Sequence, residues 1–476
     1  MRIFNTLSRK VEEFVPINNK EVRLYSCGPT VYDFAHIGNL RYFTNVDLLK
    51  RALLLEGYDV KHVMNITDVG HLTSDSDTGE DKIERSAEKA RMSAWDLAKM
   101  YTQYFLEDIK ELNIIYPQII CKATDHIKEM IEMIKKLEEK GFTYRIGDGI
   151  YYDTSKFPSY GELLGKEREK ALSGALPGAR VEFNPEKRNI NDFALWKFSP
   201  KDKKRQMEWD SPWGVGFPGW HIECSAMSTK YLGNHFDIHA GGVDLIFPHH
   251  TNEIAQAEAA NSEKFVNYWF HVEHLLINNK KMSKSEGNYL TLRDLKNKGF
   301  DPIAFRLMII DHHYRNKLNF TFEKLEKYAT TLERFDITVK TIPLLEETTE
   351  EDYLEDYALA FNNALKDDLD THKALQIFSK YIDVLNDYIF KGRIPRNIKQ
   401  KHVQLISHFN KVLGILDEYE IPEEIKALAE KRYQHKKAGL LEEADKIREE
   451  VFNKGYKIID YSNSYLIIKR RYNELH

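Results

Sequence analysis

The sequence predicts an α/β protein: a parallel-sheet domain split by an insertion, followed by a helical region and a small mixed C-terminal part. Three observations predict it. A strand, a helix and a second strand succeed one another between Glu21 and Ile66, a unit whose length implies parallel pairing through a right-handed crossover. Strand–helix signals lapse between about 121 and 210 and resume at Phe236-Asp-Ile-His239. Beyond about 300 helical patterns dominate. With 476 residues the chain has room for about three domains.

In chain order, Glu21-Val-Arg-Leu-Tyr-Ser26 alternates as a strand does and runs into the turn Cys27-Gly-Pro-Thr30. Helical periodicity spans about Gly38 to Glu56, with Gly57 as its C-cap. Val60 to Ile66 is the next strand, and about 82–112 reads as one long charged amphipathic helix. A helix at 124–140 ends at Gly141, and short strands and turns follow up to the basic run Lys201-Asp-Lys-Lys-Arg205. After the strand at Phe236–His239, Pro248 opens an Ala-rich helix to about Asn261. Residues 346–356 hold seven acidic residues and no Lys or Arg, a solvated linker or helix start, and residues 391–401 hold five basic residues and no acidic one. The end combines a charged helix from Glu423 to about Asn453, a short strand Ser464–Ile468 and the basic Lys469-Arg-Arg471. No repeat or low-complexity tract interrupts this order.

Hydrophobic residues make up 42% and charged residues 30% of the chain, a globular mix. No apolar run approaches the ~18 residues of a membrane helix. Met1 to Lys10 is broken by charge and lacks an apolar core, so no secretory signal and no membrane partner are expected. Three cysteines, Cys27, Cys121 and Cys224, do not make a disulfide framework; they point to a reducing, cytoplasmic location and leave two thiols for a metal. A net charge of −5 means that nucleic acid, if bound, must meet local basic patches.

Three segments can carry chemistry. In Cys27-Gly-Pro-Thr-Val-Tyr-Asp-Phe-Ala-His36-Ile-Gly38-Asn39 a turn leaves a strand and feeds a helix, whose N-terminus offers N–H groups to an anion. His36 and Asn39 share one side of the first turn, and Gly38 admits a flat ligand. A plain capped helix accounts for the same spacing, and both readings stay open. Lys280-Lys281-Met-Ser-Lys284-Ser-Glu-Gly287 places lysines beside hydroxyls, suited to phosphate oxygens, although alone it reads as an exposed basic loop. Pro248-His249-His250-Thr-Asn-Glu253 sets His249 and Glu253 on one helical face. With the remote thiols Cys27 and Cys224 they make a plausible tetrahedral zinc set, for which His250, His239 and His221 compete.

Two other patterns are set aside. Gly214-Val-Gly-Phe-Pro-Gly219 matches a dinucleotide fingerprint in letters only, because no clear strand precedes it and Pro218 sits in the turn. Asp75-Ser-Asp-Thr-Gly79 hints at a calcium loop but has Glu80 and Ser86 where Gly and Glu are needed.

Together these segments resemble the class I aminoacyl-tRNA synthetases. His36-Ile-Gly-Asn39 and Lys281-Met-Ser-Lys-Ser285 stand as the two class signatures, about 240 residues apart and in the family's order. Longer matches resemble the cysteinyl-tRNA synthetase family: Tyr25-Ser-Cys-Gly-Pro-Thr-Val-Tyr-Asp33, Asn65-Ile-Thr-Asp68, the run Ser211 to Met227, Gly233 to Gly242 and Phe247 to Gln256. The resemblance covers nearly the whole chain. It departs at Asn39, where the signature has His, at the loop insertion 69–81, and at Leu441, where some relatives carry Trp.

The resemblance implies a Rossmann-like catalytic domain in two halves, 1–120 and 211–300, around a connective insertion, 121–210. A stem-contact region (301–345), a helical bundle (346–421) and an anticodon-binding domain (422–476) would follow. It implies activation of cysteine with ATP and Mg²⁺ to cysteinyl-adenylate, then transfer to tRNA(Cys). By that likeness His36, Asn39, Lys281 and Lys284 are catalytic, and Thr30, His36, Gly38, Asn39 and Lys284 hold ATP. Gly28, Thr30, Thr67, Trp220 and His239 line the cysteine pocket, and Cys27, Cys224, His249 and Glu253 bind one zinc. A relative that acylates an amino sugar in mycothiol synthesis, and a non-catalytic zinc-dependent RNA-binding paralogue, are the alternatives. The twelve Lys or Arg and ten Asp or Glu of 422–476, with patches at Lys431–Lys437 and Lys469–Arg471, favour tRNA over the first. The intact His36, Lys281 and Lys284 favour an enzyme over the second.

Overall fold

Five parallel strands organise the molecule: β1 (Glu21–Ser26), β2 (Asp59–Ile66), β3 (Ile119–Lys122), β4 (Phe236–Gly242) and β5 (Val266–Val272), in the order β5-β4-β1-β2-β3. The structure is a computed structural model and describes residues 1–70, 81–174, 184–200, 204–282, 287–416, 418–461 and 464–473. Residues 71–80 of the loop insertion 69–81 lie outside them, as does Lys284. The first three strands precede the insertion and the last two follow it, so one sheet is built from two chain segments. Val22, Leu24 and Tyr25 of β1 are all fully buried, the pattern of a strand covered on both faces. Strand order reverses between β1 and β4, and in open α/β sheets the crevice at the carboxyl ends of such strands takes the ligand.

Helix α1 (Ile37–Leu55) runs behind this crevice and is buried around most of its circumference, polar residues included. Asp47 receives Arg51 Nε at 2.8 Å and Arg306 Nη2 at 2.7 Å, and Lys50 Nζ donates to the Tyr116 carbonyl at 2.9 Å. These bonds satisfy groups that would otherwise be costly to bury, and they tie α1 to distant parts of the chain. The expected single helix over 82–112 is two: α2 (Lys82–Ala90) and α3 (Ala94–Glu111). Arg91 takes a left-handed conformation, φ 56°, and Ser93 caps the new start by accepting from Asp96 N at 3.0 Å.

The insertion carries α4 (Ile127–Glu139) and an antiparallel sheet of 143–146, 149–152, 193–198 and 216–218. The last of these strands lies past residue 210, so the insertion closes on a strand from the segment expected to begin the second half. Helices α5 (Trp220–Leu232) and α6 (Thr251–Asn261) pack with α4 in a second core containing Met130, Ile134, Ile222 and Met227. Helix α6 starts at Thr251 rather than Pro248, because Phe247 is extended and 246–250 form one wide turn.

Beyond the sheet stand α7 (Pro302–Ile310), α8 (Phe322–Thr341), α9 (Tyr357–Lys366), α10 (Thr371–Lys391) and α11 (Arg396–Leu413). Helix α8 packs on both α7 and α10, so the helical body begins well before residue 346. The acidic and basic runs meet: 346–348 pairs in parallel with 393–395, and Glu347 faces Arg396 at 3.2 Å and Lys399 at 3.5 Å. Asp356 caps α9, accepting from Leu359 N at 2.9 Å.

The predicted C-terminal helix is also two, α12 (Glu423–Lys437) and α13 (Leu441–Asn453), separated where Gly439 adopts φ 78°. A hairpin of 456–461 and 464–469 follows, and its first strand was not foreseen. Two of the expected patch residues face inward. Arg432 makes a two-pronged pair with Asp460 at 2.6 and 2.8 Å, and Arg471 is buried against Asp301 and Asp336. Charge-assisted, partly bidentate bonds of this kind offset the cost of taking a guanidinium out of water. Leu441, by contrast, is 60% exposed. Among the described residues no helix is long and apolar enough to cross a membrane.

Candidate active site and metal centre

A cavity of about 460 Å³ opens at the carboxyl ends of β1 and β4, and both signature segments line it, with Thr30, His36, Gly38 and Asn39 on one side and Lys281 and Met282 on the other. Strand β1 delivers Cys27 into it. Gly28 then presses on β2: a Cβ there would stand 1.6 Å from the Asn65 carbonyl oxygen, while its N–H donates to Asn65 Oδ1 at 2.8 Å. Thr30 and Thr67 form a parallel bridge, through Val31 N to Thr67 O at 3.2 Å and Thr67 N to Pro29 O at 3.0 Å.

His36 is the N-cap of α1. Its Nδ1 accepts from Asn39 N at 3.1 Å, and Asn39 Oδ1 accepts from His36 N at 3.2 Å. This reciprocal cap fixes the ring so that its remaining nitrogen, Nε2, carries the proton, and it commits the Asn39 oxygen so that the amide presents its N–H₂ donors. A Cβ on Gly38 would come within 3.0 Å of the His36 ring. Asn39, where the signature has His, thus completes a capping box with His36.

Lys281 lies on a short strand whose residues pair with Leu276 and Ile277. Asn288 Nδ2 donates to the Lys281 carbonyl at 3.0 Å, and Ile37 N donates to the Leu290 carbonyl at 2.9 Å, so the two signature segments are joined through main chain.

One side of the cavity is a buried cluster, whose Cys27, Cys224 and His249 line it with Glu253 just behind. Cys27 Sγ lies 4.0 Å from Cys224 Sγ and 3.9 Å from Glu253 Oε1, and His249 Nε2 lies 2.9 Å from the same Glu253 oxygen. One ligand atom from each of Cys27, Cys224, His249 and Glu253 falls within 4.8 Å of all the others. Cys27, His239, His250 and Glu253 form an overlapping second group. A tetrahedral zinc with ~2.0–2.3 Å bonds spaces its ligands roughly 3.3–3.8 Å apart, close to the sulfur–sulfur and sulfur–carboxylate separations here. The charges agree. Burial pushes the Cys27 thiol up, whereas at Cys224 the hydrogen bond from Cys27 and the neighbouring His249 outweigh burial and bring the thiol down to about 6. Burial opposes ionisation of Glu253, but His239 and His249 hold it at about 2, and Glu253 and Cys224 in turn overcome burial to lift His249 to about 10. Two thiols, an imidazole and a carboxylate grouped this closely are donors that zinc takes, and binding it would displace the protons on Cys27 and His249.

Of the residues expected around cysteine, Gly28, Thr30, Thr67 and Trp220 line the cavity. Trp220 stacks on His249 with centroids 4.3 Å apart. His239 does not line it. Held between Trp269 and Glu253, with Nε2 2.9 Å from Glu253 Oε2, it orients that carboxylate from behind. Three further histidines buttress the cluster: His221 Nδ1 meets His249 Nδ1 at 2.9 Å, and His250 Nδ1 meets His271 Nε2 at 2.8 Å, which reaches Thr6 Oγ1 at 2.7 Å. Lys82, Asp244 and Tyr289 also line the cavity. No spacing in the sequence marks them, since each arrives from a separate segment.

Residues 13–330 match the family described as tRNA synthetases class I (C) catalytic domain. The chain is 44% identical over 467 residues to a protein of Burkholderia lata named cysteine--tRNA ligase 1, covering 97% of this chain and 95% of that one. It is 45% identical over 428 residues to the cysteine--tRNA ligase of Treponema denticola, covering 87% and 86%. Among solved structures, methionyl-tRNA synthetase of Mycobacterium tuberculosis in complex with methionyl-adenylate shares the fold with a TM-score of 0.58 and 15% identity, covering 83% of this chain and 88% of that one.

Proposed function

The chain belongs to the cysteine--tRNA ligase family of class I tRNA synthetases, and on that premise we propose that its cavity activates cysteine with ATP and passes it to tRNA(Cys). The observation that carries the reading is that both signature segments and the thiol–imidazole–carboxylate cluster meet at one cavity. The cysteine carboxylate attacks the α-phosphorus of ATP, the bond to the bridging oxygen breaks, and pyrophosphate leaves with its electron pair. A ribose hydroxyl at the 3′ end of tRNA then attacks the acyl carbon and releases AMP. Neither step needs a covalent bond to the protein, so positioning and charge do the work.

The N-terminus of α1, His36 Nε2–H and the Asn39 amide donate to phosphate oxygens. Lys281 and Lys284 meet the charge that grows at phosphorus, and Mg²⁺ arrives with ATP. Thr30 and Gly38 leave room for the nucleotide, and Gly28, Thr67 and Trp220 surround the amino acid. Cys27, Cys224, His249 and Glu253 would hold one zinc, with His239 steadying Glu253. When bound, that ion supplies a soft Lewis-acid partner for a thiol, which a serine hydroxyl does not match. The stem-contact region and the helical bundle are assigned to residues 301–421, with the bundle starting at Phe322, and the anticodon-binding domain to 422–476. The connective insertion extends to Pro218. Three free thiols support a reducing, cytoplasmic setting.

The test is ATP–pyrophosphate exchange followed by charging of tRNA(Cys). Exchange that depends on cysteine and ignores serine, with charging of that tRNA, is expected. Exchange with transfer only to an amino sugar, or no exchange at all, overturns the reading.

A further inference from the structure

Downstream of the second signature, Thr291 caps a short helix of 292–297, its Oγ1 donating to Asp294 Oδ2 at 2.7 Å. Arg293 projects from the first turn of that helix into an aromatic group made by Phe34, beside the other signature, and by Tyr101 and Tyr104 of α3. Its guanidinium carbon lies 4.0 Å from the Tyr104 ring centre and 4.9 Å from that of Phe34. Phe34 and Tyr104 are themselves stacked, centroids 5.1 Å apart and planes 26° apart, with Tyr101 edge-on to Phe34 at 5.1 Å. Phe34 stands two residues before His36, on the loop that lines the cavity. Arg293 Nε is buried with no hydrogen-bond partner among the described residues; its Nη2 donates to the half-exposed Glu107 at 3.4 Å, and the guanidinium also acts on the charge of Asp108. Stacking on two rings, beside one long hydrogen bond, therefore fixes this side chain.

Neighbouring contacts converge on the same junction. Tyr289 OH donates to the Phe34 carbonyl at 2.7 Å, and the His36 ring meets Tyr289 edge-on at 5.4 Å. His36 and Thr291 form an antiparallel bridge. At the other end of the short helix Lys296 pairs with Glu111 at 2.5 Å. The helix is thus anchored to α3 by an ion pair at its far end and to the first signature loop by Arg293 at its near end.

We propose that Arg293 is a positioning residue for adenylate formation: by stacking on Phe34 and Tyr104 it holds the segment after the second signature against the first, and so sets where Lys281 stands relative to His36 and Asn39. This deepens the function proposed above and rests on it. Lys281 is asked to meet charge in the transition state. A loosened clasp should therefore lower kcat for exchange and leave the KM for cysteine alone, because the cysteine pocket is built from β1, β2 and α5.

The experiment is steady-state ATP–pyrophosphate exchange on the full chain with Arg293→Ala, Arg293→Lys and Lys296→Ala, with thermal melts alongside. For Arg293→Ala a fall in kcat of about tenfold is expected, equivalent to about 1.4 kcal/mol and on the scale of cation–π contacts, with the KM for cysteine within about twofold. Arg293→Lys keeps the charge but lacks the flat guanidinium and should fall nearly as far. Lys296→Ala should keep the wild-type kcat. Wild-type kcat in Arg293→Ala, or full recovery in Arg293→Lys, overturns the proposal, as does a loss confined to KM. Should the alanine variant fail to accumulate, Arg293→Lys decides by the same criterion. A wild-type protein with no cysteine-dependent exchange would sink the functional reading itself, a result distinct from active variants.

Discussion

Replacing Arg471 by Met should unlock the C-terminal module without touching the cavity. The Arg471 side chain is fully buried. Its Nη1 lies 3.1 Å from Asp301 Oδ2, its Nη2 and Nε reach Asp336 Oδ2 at 2.6 and 3.0 Å, and its backbone N–H donates to Glu333 at 2.9 Å. Asp301 keeps Lys469 Nζ at 2.6 Å in the variant, but the buried Asp336 loses two charge-assisted bonds. Removing one member of a buried pair costs about 3–5 kcal/mol, because the remaining charge stays desolvated. Methionine retains the stem's packing, so the loss reports charge. All six tryptophans lie before residue 270, so their fluorescence follows the catalytic body while circular dichroism follows the whole chain. In urea the dichroism transition of Arg471→Met should move to lower denaturant and separate from the fluorescence transition. Adding Asp336→Asn should recover about 1–3 kcal/mol, the coupling expected of groups in contact. Exchange should stay within about twofold and tRNA charging should fall. Coincident transitions with a loss under about 1 kcal/mol would refute the assignment of Arg471 as the lock.

Gly28→Ala should abolish exchange or leave the protein poorly folded, because its Cβ would meet the Asn65 carbonyl at 1.6 Å and main chain must move; exchange rate and melting temperature check it together. Asp108, on α3, titrates at about 7, raised chiefly by burial, with Arg293 and Lys296 opposing and Glu111 and Glu107 adding to the rise. Its folded value lies above its unfolded one, so its favourable contribution is complete below about pH 4 and is lost as pH rises through about 7. Asp108→Asn should therefore stabilise the protein by about 1–3 kcal/mol at pH 8 and change little at pH 4. Urea midpoints at the two pH values check the sign, and equal effects at both would contradict it.

Much of the fold was legible because burial leaves a pattern. β1 and β2 read as strands from their patterning, and their parallel pairing followed from the length of the unit that joins them. What escaped was decided by single residues or by distant partners. Arg91 and Gly439 end helices whose periodicity runs on across them, so 82–112 and 423–453 looked continuous. The strand 456–461 exists because 464–469 pairs with it. Arg432 and Arg471 read as surface charge until Asp460, Asp301 and Asp336 were seen facing them. At the site, each of the four expected metal ligands entered the cluster, although Cys27 and Cys224 are nearly 200 residues apart and only His249 and Glu253 share a helical spacing. His239 was placed in the cysteine pocket and stands one layer behind, because β4 buries it against Trp269. Arg293 gave no signal at all, since its meaning depends on a ring from residue 34.

The cluster at Cys27, Cys224, His249 and Glu253 is where the account is most exposed, because it requires a metal that reads the substrate thiol. The direct measurement is the absorption spectrum of the full-length protein loaded with cobalt in place of zinc, recorded as cysteine and then serine are added. A sulfur-to-cobalt band from the protein thiols should be present at the start, grow on addition of cysteine and ignore serine. A spectrum that cysteine leaves unchanged, in a protein that still carries out cysteine-dependent exchange, would contradict the claim and reduce the metal to a structural role.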